Sequence, residues 1–149
     1  MNRFLIERNV DDIAVSLCDQ HIVKMPLEET QMLCTVIWHR APKYAYLNDL
    51  YKPVHQKHPC TLWAMENKSN YYFPWHLLDE MLKEYTHRYG KVHGAAVHKD
   101  ALFYGARFIS EGKNTKHPQC FGEHDDCRTG EFYPIKAYRK FYGKTKMSM

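Results

Sequence analysis

The sequence predicts a mainly α fold: a compact, single-domain helical protein with irregular loops and a basic, aromatic C-terminal segment. Three observations carry this. Apolar residues recur at helical spacing over two long stretches, residues 11–40 and 60–89. No stretch alternates apolar and polar residues as a half-buried strand does. At 149 residues, with 44% hydrophobic and 26% charged residues, the composition is that of one soluble globular domain. Such a length buries roughly 70% of the unfolded surface and needs no staple.

Asn2 to Ile6 reads as extended or irregular, and Asn9 or Asp11 caps the first helix with acids in its first turn. Pro26 removes one backbone hydrogen bond, so the helix is expected to kink there or to give way to a second helix. Ala41 to Pro59, with Pro42, Asn48, Pro53 and Pro59, reads as loop. Cys60 to Tyr89 is helical, with Pro74 a point of division and Gly90 the stop. Beyond it, Asp100 to Ile109 and Ile135 to Tyr142 form short helices, and Glu111 to Gly130 is loop.

The stretch 11–40 carries the most informative pattern. At about 100° per residue, Gln20, His21, Lys24, Glu28, Gln31 and Thr35 share one arc of roughly 80° on an otherwise apolar helix. Lys24 and Glu28 form an i,i+4 pair worth a few tenths of a kcal/mol, an ordinary surface feature. The functional alternative makes Glu28 a general acid/base and His21 a second proton-handling group, both tuned by apolar walls. Cys18, beside them, is expected to be a small core residue rather than a nucleophile.

Charge and motifs narrow the partner. A net charge of +4 permits a phosphate-bearing partner. The tail Tyr138-Arg139-Lys140-Phe141-Tyr142-Gly143-Lys144 interleaves rings and cations, as surfaces for nucleic acid do. The loop holding Lys52, His55, His58 and Cys60 leads into a helix start that can face phosphate, or can simply be a Pro-capped start. Arg88, Lys91 and His93 make a similar cluster. His117, Cys120, His124 and Cys127 are zinc-binding types, but they span only eleven residues, shorter than zinc-finger patterns. A polar loop is expected there, and no metal or cofactor. Five cysteines, with no secretory pattern in MNRFLIERNVDD, suggest reduced thiols in a cytoplasmic protein. No run approaches the ~18 apolar residues of a membrane span. A monomer is expected.

Asp19-Gln20-His21, with Glu28 two turns after His21, resembles the catalytic helix of the pyrimidine-dimer DNA glycosylases of the bacteriophage endonuclease V type. Arg3 fits the same pattern. The tail Tyr138 to Lys144 resembles that family's C-terminal segment, and the blocks KHPCTLWA and EYTHRYGKVH resemble phage and bacterial proteins grouped with it. The resemblance implies a repair enzyme acting on double-stranded DNA with base lesions. An amine attacks the sugar, an imine forms as the base leaves, and β-elimination nicks the strand, without metal or cofactor. By position Glu28 is the essential acid/base, and His21 and Arg3 orient sugar and phosphates. The family's amine belongs to a small residue exposed when Met is removed. Residue 2 here is Asn, so the α-amine of Met1 is expected to be the nucleophile, with Lys24 the second candidate. An α-amine with a pKa near 8 is a better neutral nucleophile than an ordinary lysine. DNA contacts are expected from Arg3, Lys52, His58, Arg88, Lys91, Arg139, Lys140, Tyr142 and Lys144. Two other readings remain at this point: a non-catalytic nucleic-acid-binding module, and a glycosidic-bond-cleaving enzyme acting on another nucleotide or modified base.

Overall fold

The computed structural model describes residues 3–120 and 125–147. Seven α-helices and three short 3-10 turns account for its regular structure, and no strand occurs among the described residues. The helices are α1 (Val10–Ser16), α2 (Asp19–Arg40), α3 (Pro42–Leu47), α4 (Pro59–Glu66), α5 (Lys68–Tyr89), α6 (Lys99–Gly105) and α7 (Ile135–Met147). The helical fold class is therefore borne out. No helix among the described residues is long and apolar enough to cross a membrane.

The first helical stretch divides, but not at Pro26. The break falls at Leu17–Cys18, where both residues are extended, and α2 runs through Pro26 without ending. The reason lies outside the local sequence. Carbonyls left open at the end of α1 are taken by the Arg88 guanidinium, which donates to Val15 O at 3.1 Å and pairs with Asp19 at the start of α2. Within α2, the Thr30 hydroxyl donates to the Pro26 carbonyl at 2.7 Å. The second stretch divides at Asn67 rather than Pro74. The Asn67 side chain accepts the Asn70 N–H and so opens α5 as an N-cap, while Pro74 lies buried inside the helix. Gly90 ends α5 in the left-handed conformation, at φ 67°, as the sequence suggests. The stretch expected to be loop between residues 41 and 59 contains α3, begun by Pro42 at its first turn.

α2 and α5 pack on each other, with α1 and α4 against α5 and α3 against α2. α2 serves two apolar clusters. Its N-terminal half, through Ile22 and Met25, joins Phe4, Leu5, Ile13, Leu77, Met81 and the inner face of α7. Its C-terminal half, from Met32 to Ile37, joins Tyr71, Leu78, Leu102 and Ile109. Residues 3–6, irregular in backbone, are buried in the first cluster, so the N-terminal segment is core rather than appendage.

Candidate active site on the long buried helix

The polar arc of α2 changes character along its length. Gln20 and Lys24 are exposed, Glu28 and Gln31 half-buried, and His21 and Thr35 buried. Thr35 is structural: its hydroxyl accepts the Val54 N–H at 3.0 Å and donates to Gln31 O at 2.8 Å, fixing the loop before α4 onto α2.

His21 sits between the chain's two ends. Its ring stacks on Phe4, centroids 4.5 Å apart, and its Nδ1 lies 3.0 Å from the Tyr142 hydroxyl. That hydroxyl also accepts the Cys18 N–H at 2.8 Å. Burial, and then the nearby Lys24 charge, hold the imidazole below its usual pKa, so it is neutral near pH 7.

Two adjacent glutamates face different partners. Glu29 is fully buried and held by Arg3, whose Nε and Nη2 both donate to the carboxylate, Nη2 at 2.5 Å. The Arg3 Nη1 lies 3.0 Å from His117 Nε2, and its guanidinium stands 5.7 Å from the centre of the Trp63 ring. Burial works against the Arg3 charge, but the Glu29 carboxylate outweighs it and keeps the guanidinium strongly protonated. His117 is pushed well below the ordinary histidine range, first by burial and then by Arg3. A neutral His117 can therefore accept from Arg3. Glu28 has no such clamp. Its Oε1 is 3.6 Å from the exposed Lys24 ammonium, and its Oε2 is buried without a hydrogen-bond partner among the described residues. Buried polar atoms in folded proteins nearly all have partners, so this oxygen stands open to a water, an ion or a ligand.

The other expected site residues fall in several places. Arg3 and Tyr142 are 1% and 6% exposed, so the expectation that they touch DNA is corrected: both brace the site from inside. Arg88 is likewise committed to Glu84, Asp19 and the end of α1. Lys24 is 62% exposed, which removes the desolvation that its role as an alternative nucleophile requires. Lys52 lies over the Trp38 ring at 5.0 Å, and Lys91 is exposed. His58 caps α4, its Nδ1 accepting the Cys60 N–H. On the outer face of α7, Arg139 pairs with Glu7, and Lys140 and Lys144 both pair with Asp126. Met1 lies outside the described residues, as does His124. The clustered zinc donors do not meet as their spacing arranges them: His117 is engaged with Arg3, and Cys127 is packed in the first apolar cluster.

Cys120 instead approaches Cys60, Sγ to Sγ at 3.8 Å. The hydrogen bond from Cys60 and the nearby positive charges of Arg3 and Arg128 bring the Cys120 thiol down to about 7, although burial opposes them. Glu29 and Trp63 escaped the sequence reading as site residues, and His117, read there as a zinc-binding type, is found on Arg3. Glu29 sits beside Glu28 and looks like an ordinary first-half helix acid. Its one signal is that, a helix step from the polar arc, it falls among apolar positions. A cleft of about 1010 Å³ opens between Arg8, Phe73, His76, Phe132 and Tyr133, and none of the polar-arc residues lines it.

The chain matches no known protein family, no curated protein and no solved structure.

Proposed function

We propose that this protein is a DNA glycosylase with lyase activity that removes a damaged pyrimidine from duplex DNA through an amine nucleophile assisted by Glu28. The single observation that carries this reading is the buried Oε2 of Glu28, without a hydrogen-bond partner among the described residues. A carboxylate in that state can stabilise positive charge developing on a sugar and can exchange protons with a nearby amine.

In the proposed reaction the neutral amine attacks C1′ and the glycosidic bond breaks, the base leaving with a proton. Loss of the amine proton and opening of the sugar give an imine. Glu28 then accepts a proton from C2′, the 3′ phosphate leaves, and water releases the enzyme. Lys140, Lys144 and Arg139 supply phosphate contacts. Lys140 and Lys144 share the exposed Asp126 carboxylate, and such pairs are worth only ~0–1 kcal/mol, so phosphates can replace them; Arg139 is also held by the Ile6 carbonyl at 2.7 Å.

Borohydride reduction tests the proposal. Incubated with duplex DNA carrying a pyrimidine dimer or an abasic site, the protein is expected to form a covalent adduct through residue 1, identifiable by peptide mass. Glu28→Gln should bind the same DNA and form no adduct. Absence of trapping on both substrates would overturn the reading.

A further inference from the structure

The loop entering α4 and the irregular segment after α6 bring three soft donors together. His58, Cys60 and Cys120 each offer a ligand atom, and these atoms lie within 4.8 Å of one another. Cys60 and Cys120 are sixty positions apart in sequence, so their approach is a product of the fold. We propose that these three side chains bind a zinc ion, with solvent in the fourth position.

Geometry carries the proposal. Two thiolates on a tetrahedral zinc, each at about 2.3 Å, stand roughly 3.8 Å apart. The Cys60 and Cys120 sulfurs stand 3.8 Å apart. The donor set is two sulfurs and an imidazole nitrogen, which selects zinc or another thiophilic ion over magnesium or calcium. In the metal-free chain the Cys60 N–H donates to His58 Nδ1 at 3.1 Å, which sets the ring over the first turn of α4. Ligation would give up this bond, because one ring nitrogen must offer its lone pair to the ion while the other carries the ring proton. The Cys120 N–H donates to the Tyr138 hydroxyl at 3.2 Å, and that hydroxyl donates to Pro118 O at 2.8 Å. Such outer contacts orient a metal ligand. Cys60 is buried while His58 and Cys120 are half-buried, so one side of the triad faces solvent and admits both ion and water. Binding would release the two thiol protons, since thiolate is the ligand.

The site also has a structural purpose. Residues 109–120 have no helix or strand to hold them. They are attached to α4 and α5 by side chains: Trp63 Nε1 donates to Thr115 O, and Asn67 Nδ2 to Lys113 O. A metal bridging Cys60 and Cys120 would clamp the end of that segment to the start of α4. His117, the partner of Arg3, lies inside the clamped segment, so the ion would steady the Arg3–Glu29 assembly from behind. The proposal does not depend on the DNA reaction.

The full-length protein should be purified without chelator and its metal content measured. Stoichiometric zinc is expected. Replacement by cobalt should give sulfur-to-cobalt charge-transfer absorption and the visible bands of a tetrahedral ion. Cys120→Ser and His58→Ala should each weaken zinc binding by more than the about 10–100-fold that loss of an outer support costs. Cys18→Ser should leave it unchanged. Chelator should lower the melting temperature of the unmodified protein and added zinc should restore it, a readout that needs no variant. Three outcomes would overturn the proposal: no zinc or cobalt uptake, equal uptake by a Cys60→Ser/Cys120→Ser variant, or an intact mass two units low with the Cys60 and Cys120 peptides disulfide-linked.

Discussion

Arg3 grips the Glu29 carboxylate through Nε and Nη2, fixing the irregular N-terminal segment to the middle of α2. Both groups are fully buried, so neither can turn to water if the other is lost. Arg3→Ala or Glu29→Ala is expected to cost about 3–5 kcal/mol, the usual penalty for leaving one buried charge alone. Urea denaturation of the single variants checks this. An Arg3→Met/Glu29→Met pair should cost clearly less than the two single alanine losses added together, because it leaves no orphaned charge.

Glu28 should behave in the opposite way. Its buried oxygen contributes nothing to folding, and an unsatisfied buried polar group carries a penalty of about 1–3 kcal/mol. Glu28→Met is therefore expected to hold or raise the stability of the protein while ending any adduct formation with DNA. Thermal melting and borohydride trapping on the same preparation give both answers. A variant that unfolds readily would show Glu28 to be a structural acid.

Acid should weaken the fold through histidines before it reaches the carboxylates. Burial, as the largest influence, lowers the pKa of His21, His98 and His117 from the ordinary 6.5. Between each folded value and 6.5, the unfolded chain takes up a proton that the folded chain refuses, so stability falls as the pH drops through that window. The urea midpoint is expected to be level above pH 7 and to decline below about 6.5. His117→Asn, which keeps a polar partner for Arg3, should make the decline shallower. A midpoint unchanged from pH 7 to 5 would contradict the assignment of neutral buried rings.

Asn67 marks the junction between α4 and α5. Asn67 accepts from Asn70 N at 2.9 Å and donates to Lys113 O at 3.0 Å, and a Cβ at Gly112 would meet Asn67 Cβ at 2.6 Å. Asn67→Ala should cost about 1 kcal/mol as a lost N-cap. Gly112→Ala should also destabilise, because backbone and Asn67 must separate. Melting temperatures of the two variants test both.

The two long helices, the stop at Gly90 and the final helix were all legible in spacing and residue type. The break points were not. Pro26 and Pro74 are the strongest local breakers, yet both lie inside helices, while the real breaks at Leu17–Cys18 and Asn67 depend on Arg88, Tyr142 and Lys113 from distant parts of the chain. The same limit applied to the site. The polar arc singled out His21 and Glu28, because amphipathic spacing is a local property. It could not show that Glu29 faces inward to Arg3, or that Cys120 meets Cys60 rather than its neighbours, since those pairings exist only once α2, α4 and the segment after α6 have packed. Tyr142 illustrates the cost: its basic surroundings suggest a surface ring, and only the packing of α7 turns its hydroxyl toward His21.

That contact between His21 and Tyr142 also sets an order of events during synthesis. α2 is made early, but its histidine gains its hydroxyl partner only after residue 142 has left the ribosome, and Phe4 waits equally for Phe141. A nascent chain can therefore build its helices and still lack the packing that closes around His21. The N-terminal half of α2 is completed only when the last helix has been made.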